Sequence, residues 1–212
     1  MIEIKPYNLP DIRLLDLEGL NIYTWIPDKK YIVLGQRDTP DLALNQDAVI
    51  NDGITVMKRP SGGHTVLLSP NTIVIAISIT QLDIKYTKRF FEACNSAIIN
   101  ALEAQGIIGI SKKGISDIAA GQRKILGSSM YRPKNHTFYH AVLNLSESAE
   151  IIAKYLAHPK TEPDYRLGRK HSEFIISLTE LGYNFDLNIF KTHLSYYINK
   201  KINQIQHTST IE

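Results

Sequence analysis

Apolar and polar positions alternate with a period near two through much of the first half of the chain, and the long helical patterns come after residue 84. Leu20–Trp25 and Tyr31–Gly35 are β-branched and aromatic runs on either side of a Pro-Asp-Lys-Lys turn, which predicts a hairpin. Leu42–Asn51 reads as a short helix stopped at Asp52-Gly53. Ile54–Lys58 alternates as a strand. Thr65–Leu68 and Thr72–Ile79 are strands separated by Ser69-Pro70-Asn71, a turn signal. Ile73–Ile79 is almost wholly apolar, the mark of a strand buried on both faces.

Lys85–Gln105 carries the clearest helical pattern. Phe91, Cys94, Ile98 and Leu102 recur at three- and four-residue steps, and Gly106 supplies the stop. Ile107–Ser111, Lys124–Tyr131 and Phe138–Leu145 read as strands, and Ser146–Ala157 as a helix. The polar stretch His158–Arg169, with two prolines, reads as a surface loop. Ser172–Leu181 and Leu187–Ile205 read as two further helices, ahead of a frayed HTSTIE end. Strands first and helices later describe an α+β domain with a central mixed β-sheet flanked by helices, not a βαβ repeat.

Composition narrows this picture in three respects. The 212 residues suit one domain, with a core of about residues 20–182, a C-terminal helix at 187–205 and no room for an accessory domain. A single cysteine, Cys94, admits no internal disulfide, so a reducing, cytoplasmic setting is the expectation, and Cys94 on the apolar stripe reads as a core residue. No run approaches the roughly 20 apolar residues of a membrane span, and no apolar leader opens the chain. A formal charge of +3, with acids interspersed among the bases, gives no reason to expect nucleic acid as a partner.

Four segments carry candidate chemistry. In Lys58-Arg59-Pro60-Ser61-Gly62-Gly63-His64, between two strands, paired glycines let backbone approach a ligand and turn N–H groups toward an anion. Arg59 adds a fork of donors suited to phosphate or carboxylate. A turn that needs glycine only for its own geometry is the alternative reading. The segment is neither a Walker loop nor a dinucleotide fingerprint, because the required spacings are absent. In the second segment, Gly121–Arg123 forms a hairpin tip and Lys124 starts the next strand. There its ammonium is able to polarise a carbonyl and neutralise a phosphoryl oxygen together, with Asp117 available for magnesium and Gly127 and Ser128 leaving space for a chain-like substrate. An exposed hairpin with a solvated Arg-Lys pair is the alternative. His140 lies within the strand Tyr139–Leu145, and Tyr165–His171 is a basic cluster that reads as a solvated loop or an anion-contacting lid.

The order of these segments resembles the lipoate–protein ligase A family, within the superfamily of biotin/lipoate ligases and octanoyltransferases. The family pattern runs "GR-x-Q-N-P", "RR-x-SGGGAV-x-HD-x-GN", a long helix, "ND", "GRK-x-SGSA", "HHGTLLL", and a basic loop with "TNL". Here GQRDTP (Gly35–Pro40) follows Trp25, then KRPSGGHTVLLSPN (Lys58–Asn71), the long helix, Ser116-Asp117, GQRKILGSS (Gly121–Ser129), YHAVLNL (Tyr139–Leu145), and a basic loop ending at Ile176–Leu178. The resemblance covers roughly Asn21 to Gly182. It implies a biotin/lipoate ligase-like core, similar to that of class II synthetases. It also implies a two-step reaction: ATP with magnesium activates lipoate to an acyl-adenylate, and a lysine of a carrier domain then attacks. The partner implied is the lipoyl domain of a dehydrogenase complex or a glycine-cleavage protein, with a separate accessory chain as a further partner. Carried over by position, Arg59, Ser61, Gly62, Gly63 and His64 line the adenylate and acyl pocket. Lys124 contacts phosphate and acyl oxygens, Asp117 serves nucleotide or magnesium, and Gly127, Ser128 and His140 line the acyl tunnel.

The chain departs from that pattern at His64, where the third glycine stands, at Leu67-Leu68-Ser69 in place of His-Asp, at Ser116, at Lys58, and at its start, where the family's long N-terminal helix is missing or shortened to about Asp11–Leu17. Two other readings therefore stay open: acyl transfer between carrier proteins, which uses a cysteine thiolate, and a non-catalytic protein that holds an acyl group or carrier. Biotin ligation is disfavoured because GQRDTP lacks a Gly-Arg-Gly-Arg run.

Overall fold

A computed structural model describes residues 2–208. In chain order, β1 (Ile4–Pro6) leads to a 3₁₀ turn at Pro10–Asp16, then β2 (Leu20–Trp25), β3 (Tyr31–Leu34), α1 (Pro40–Ala43), α2 (Gln46–Asn51), β4 (Thr55–Lys58), β5 (Val66–Leu68) and β6 (Thr72–Thr80). After a 3₁₀ turn at Ile84–Tyr86 come α3 (Thr87–Glu103), β7 (Ile110–Lys113), β8 (Asp117–Ala120), β9 (Arg123–Tyr131), β10 (His136–Asn144), α4 (Ala149–Tyr155), a 3₁₀ turn at Asp164–Arg166, α5 (His171–Phe174) and α6 (Leu187–Thr208).

Two sheets form. One is mixed, with four strands in the order β1-β4-β3-β5. The other is antiparallel throughout, with six in the order β2-β6-β10-β9-β8-β7. β6 is covered on both sides, as its apolar run predicts. Ile73, Ile75, Ile77 and Ile79 pack on α3 and α6, while Val74 faces the four-stranded sheet beside Trp25, Val33, Met57 and Leu68. The outer face of the small sheet is closed by α2 and α4 through Ile32, Leu34, Val49 and Ile152. Each such fully buried side chain contributes about 2 kcal/mol.

The helices follow from local chemistry. Cys94, Ile98 and Leu102 are wholly buried on α3, and Gly106 takes the positive φ of 81° that ends it. Phe190, Leu194, Ile198 and Ile202 give α6 its matching stripe, and Asp186 Oδ1 caps its start by accepting from the Asn188 and Ile189 amides at 2.8 and 2.9 Å. His207 and Thr208 close that helix; the rest of the HTSTIE end lies outside the described residues.

Four expectations change. Leu20–Trp25 and Tyr31–Gly35 do not form a hairpin: β2 pairs with β6, β3 pairs with β4 and β5, and the intervening turn carries the chain from one sheet to the other. Alternation marks the buried face of each run, with Tyr23 exposed on β2, and does not choose the neighbouring strand. The helix expected at Leu42–Asn51 splits at Leu44, which bridges to Leu156, and Asn45, whose side-chain amide donates to Ala153 O at 2.9 Å. The helix expected at Asp11–Leu17 is a 3₁₀ turn. The one expected at Ser172–Leu181 ends at Phe174, because Ile175 pairs alongside Lys124 and the Ile176 amide donates to Lys124 O at 3.0 Å. β1 and β8 were not foreseen.

Candidate functional site

The site begins with an irregularity. β8 and β9 pair Asp117 with Gly127 and Ile118 with Leu126, but Ala119 then pairs with Lys124, which leaves Ile125 as an extra residue. Residues opposite each other share a face of the sheet. This β-bulge therefore turns Lys124 to the face of Asp117 and Gly127; regular alternation would send it toward α3. The Lys124 ammonium lies 2.8 Å from Asp117 Oδ1. It folds back over Gly127, where an added Cβ would sit 2.7 Å from Nζ. Asp117 is 5% exposed and Lys124 30%, so the carboxylate is walled in while the ammonium reaches open space. Among the described residues no other acceptor meets Lys124 Nζ, which leaves two of its three N–H groups available.

That space is a cavity of about 620 Å³ between the two sheets, within the range of small-molecule sites. One end is apolar, with Val33, Val66 and Leu68 from the small sheet and Val74, Ala141 and Val142 from the large one. The other end is polar, with Lys124, Asp117, Ser116 and Tyr165. A second cavity of about 220 Å³ opens from the same lysine and is bordered by Asp38, Asn144, Lys160, Arg166 and His171. Arg59, Gly63, His64, Gly127, Ser128, His140, Asp117 and Lys124 thus come together around one space.

Their individual roles differ from expectation. Arg59 is 5% exposed and turns its donors inward: Nε to Ser61 Oγ (3.0 Å), Nη1 to Val33 O (3.1 Å), and Nη2 to Gly62 O (2.9 Å) and His64 O (2.8 Å). Burial draws its pKa down to about 10, while the charges of Asp38 and Tyr7 oppose that shift. Arg59 is therefore the internal tie of its own loop, and the expectation of a free anion-binding fork is corrected. Gly63 has φ 82°, and its carbonyl oxygen would lie 1.8 Å from a Cβ on Gly35. The close approach here is loop to loop, and the first motif's Gly35 exists to permit it. Asp38 Oδ2 secures the crossing by accepting from the Thr65 amide and hydroxyl, both at 2.7 Å. Gly62 is exposed with open space where a Cβ would go, Ser61 is buried behind the cavity wall, and the exposed His64 borders both cavities with its Nε2 3.4 Å from Thr161 Oγ1.

His140 Nε2 sits 2.6 Å from Ser61 Oγ and 2.7 Å from Ser129 Oγ. Burial, reinforced by the Arg59 charge, lowers its pKa to about 3, so it is neutral at physiological pH. Ser128 hydrogen-bonds instead to Ser116 O at 2.7 Å and to Asn95 at 3.3 Å, on the α3 side. Ser129, not Ser128, offers its hydroxyl on the cavity face. Period-two alternation from Gly127 carried that signal and was not read.

Asp117 was expected to serve nucleotide or magnesium. Its Oδ1 faces Lys124, and its Oδ2 accepts the Tyr165 hydroxyl at 2.8 Å. No group of three metal-ligating side chains occurs among the described residues. The donor set does not fit a protein-held metal, and Asp117 is instead the counterion of Lys124. Tyr165 was overlooked inside its basic cluster, which is a folded knot. Arg166 and Arg169 lie over the Phe174 ring at 4.8 and 5.4 Å, and Arg169 Nη2 donates to Tyr165 O at 2.7 Å. Cys94 is fully buried on α3, and burial pushes its thiol well above the usual range. No helix among the described residues is long and apolar enough to cross a membrane.

Comparison with known proteins places this geometry in context. Residues 16–199 match the family described as lipoyl protein ligase A/B catalytic domain. A putative lipoate-protein ligase A of Schizosaccharomyces pombe is 24% identical over 143 residues, 67% of this chain; the chain spans only 37% of that protein. Among solved structures, a bi-partite lipoate protein ligase of Thermoplasma acidophilum, studied with its E2 lipoyl domain, superposes with TM-score 0.76 at 14% identity, over 95% of this chain and 84% of the other. A lipoate-protein ligase A bound with ATP gives 0.74 at 15% identity, over 96% and 84%. At such identities these structures establish a shared fold.

Proposed function

This chain belongs to the lipoyl protein ligase A/B catalytic domain family, and from that premise we propose that it activates lipoate, or a related acid, with ATP and passes the acyl group to a carrier lysine. In the first step a carboxylate oxygen of the acid attacks the α-phosphorus and pyrophosphate leaves. In the second, the carrier amine attacks the acyl carbonyl and AMP leaves. AMP is a good leaving group, so the protein's task is to position the reactants and stabilise developing charge. The acyl chain takes the apolar end of the large cavity, and its carboxyl carbon lies at Lys124. The two open N–H groups of Lys124 then serve one acyl and one phosphoryl oxygen.

One observation carries this reading: a walled-in Asp117 holds a lysine with two unpaired donors at the polar end of a cavity whose other lining is apolar. The ATP-bound structural neighbour supports ATP as co-substrate. Any magnesium arrives on the nucleotide's phosphates. The bi-partite neighbour and its lipoyl domain support a lipoyl carrier domain as acceptor and a separate accessory chain as second partner. The setting is cytoplasmic, where ATP and carrier domains meet. The thiolate route of carrier-to-carrier transfer lacks a nucleophile here, because Cys94 is enclosed on the far face of the large sheet.

The test is pyrophosphate release by purified protein with lipoate and ATP, then transfer to a lipoyl carrier domain with and without candidate accessory protein. Release that requires both substrates is expected. Its absence with lipoate, octanoate and biotin, with every partner supplied, overturns the reading.

A further inference from the structure

Lys124 reaches the loop 158–171 through a short chain of hydrogen bonds. The Tyr165 hydroxyl donates to Asp117 Oδ2 at 2.8 Å, and Asp117 Oδ1 meets Lys124 Nζ at 2.8 Å. Tyr165 is held from its own side: its ring lies 5.1 Å from Phe174, and its carbonyl accepts from Arg169. It also packs on the β7–β8 turn, where a Cβ on Gly114 would come within 4.0 Å of its ring and 3.5 Å of Pro163. A carboxylate able to rotate would offer both oxygens to the ammonium and draw its donors away from the charge that develops in the transition state. With Oδ2 occupied by a phenol, Asp117 presents one oxygen, and the other two N–H groups of Lys124 stay directed into the cavity.

We infer that Tyr165 is a positioning residue for Lys124, acting through Asp117, so that the lysine is set for adenylation only while the loop 158–171 is docked. The inference rests on the adenylating role proposed for Lys124 but adds a residue and a coupling that the role itself does not require. No atom of Tyr165 needs to touch the acid or the nucleotide.

The test is a double-mutant cycle of Tyr165→Phe and Lys124→Ala, read as acid- and ATP-dependent pyrophosphate release. Phenylalanine keeps the ring packing, and a thermal melt checks that the fold is retained. Losing one hydrogen bond to a charged group should slow adenylation about 10-fold in the Lys124 background and less than about 2-fold in the Lys124→Ala background. The KM for the acid should stay unchanged. Equal losses in both backgrounds, or a loss confined to KM, overturn the inference. Should the unmutated protein release no pyrophosphate, the proposed function fails and the coupling is judged by chemistry alone. Reductive methylation of Lys124, followed by mass spectrometry, should then be about 5-fold slower in Tyr165→Phe, as the released carboxylate engages the ammonium with both oxygens. An unchanged rate overturns the coupling.

Discussion

Two cations border the same cavity and are held in opposite ways. Arg59 directs its guanidinium into its own loop, with Val33, Gly62 and His64 carbonyls and the Ser61 hydroxyl as acceptors. Lys124 has one partner, Asp117, and keeps the rest of its hydrogen-bonding capacity for the cavity. A buried charge with four of its five donors matched by its own surroundings is part of the scaffold. A partly exposed charge with unmatched donors, fixed in place by a walled-in counterion, is prepared for a ligand. Proximity to the cavity does not separate the two residues; donor accounting does.

That contrast breaks most sharply at Lys124. Lys124→Ala should lower the adenylation rate on the order of 10²–10³-fold, with a melting temperature near that of the unmutated protein, as single-turnover kinetics and calorimetry would show. Arg59→Ala should do the reverse. It leaves several buried acceptors without donors, at a cost of about 3 kcal/mol and roughly 10 °C in melting temperature. A stable, inactive Arg59→Ala protein would contradict the scaffold assignment. Gly127→Ala sharpens the comparison on a smaller scale. The new Cβ would meet the flexible end of Lys124 at 2.7 Å and displace the ammonium. Activity should fall about 10-fold, a loss of about 1.4 kcal/mol in transition-state stabilisation, with stability almost unchanged in a urea titration.

The smallest effect concerns pH. Burial, with the Arg59 charge second, lowers the His140 pKa to about 3, and burial, with the Arg166 charge second, lowers that of His171 to about 4. Below about 6.5 the unfolded chain binds protons that these folded histidines refuse. Their contribution to stability is therefore complete above that pH and declines as the pH falls toward 3–4. Urea melts at several pH values should show stability rising with pH in this window. His140→Gln should flatten the slope by at most about 1.4 kcal/mol per pH unit. Asp11, whose pKa burial raises from 3.8, works in the opposite direction inside this window, from about pH 3.8 upward.

Much of the fold was legible because burial writes itself into periodicity. The β6 run and the α3 stripe were found within a few residues. Partner choice was not legible: β2 and β3 read as a hairpin and belong to different sheets, since alternation says which face of a strand is buried and not which strand lies beside it. Of the candidate site, Arg59, Gly63, His64, Asp117, Lys124, Gly127, Ser128 and His140 do border one cavity, but several do other work there. Tyr165 and Ser129 were missed, one inside a cluster read by its charges alone and the other one residue from the serine chosen.

The sequence by itself determined the alternating strands, the two amphipathic helices, the glycines at the loop crossing and the order of motifs that marks the family, because each is a local consequence of side-chain size, shape and polarity. Only the tertiary structure decided which cation faces the cavity with free donors. One extra residue in β9 reverses the face on which Lys124 emerges. The carboxylate, glycine and tyrosine that fix its ammonium come from β8, β9 and a loop about 40 residues further along the chain.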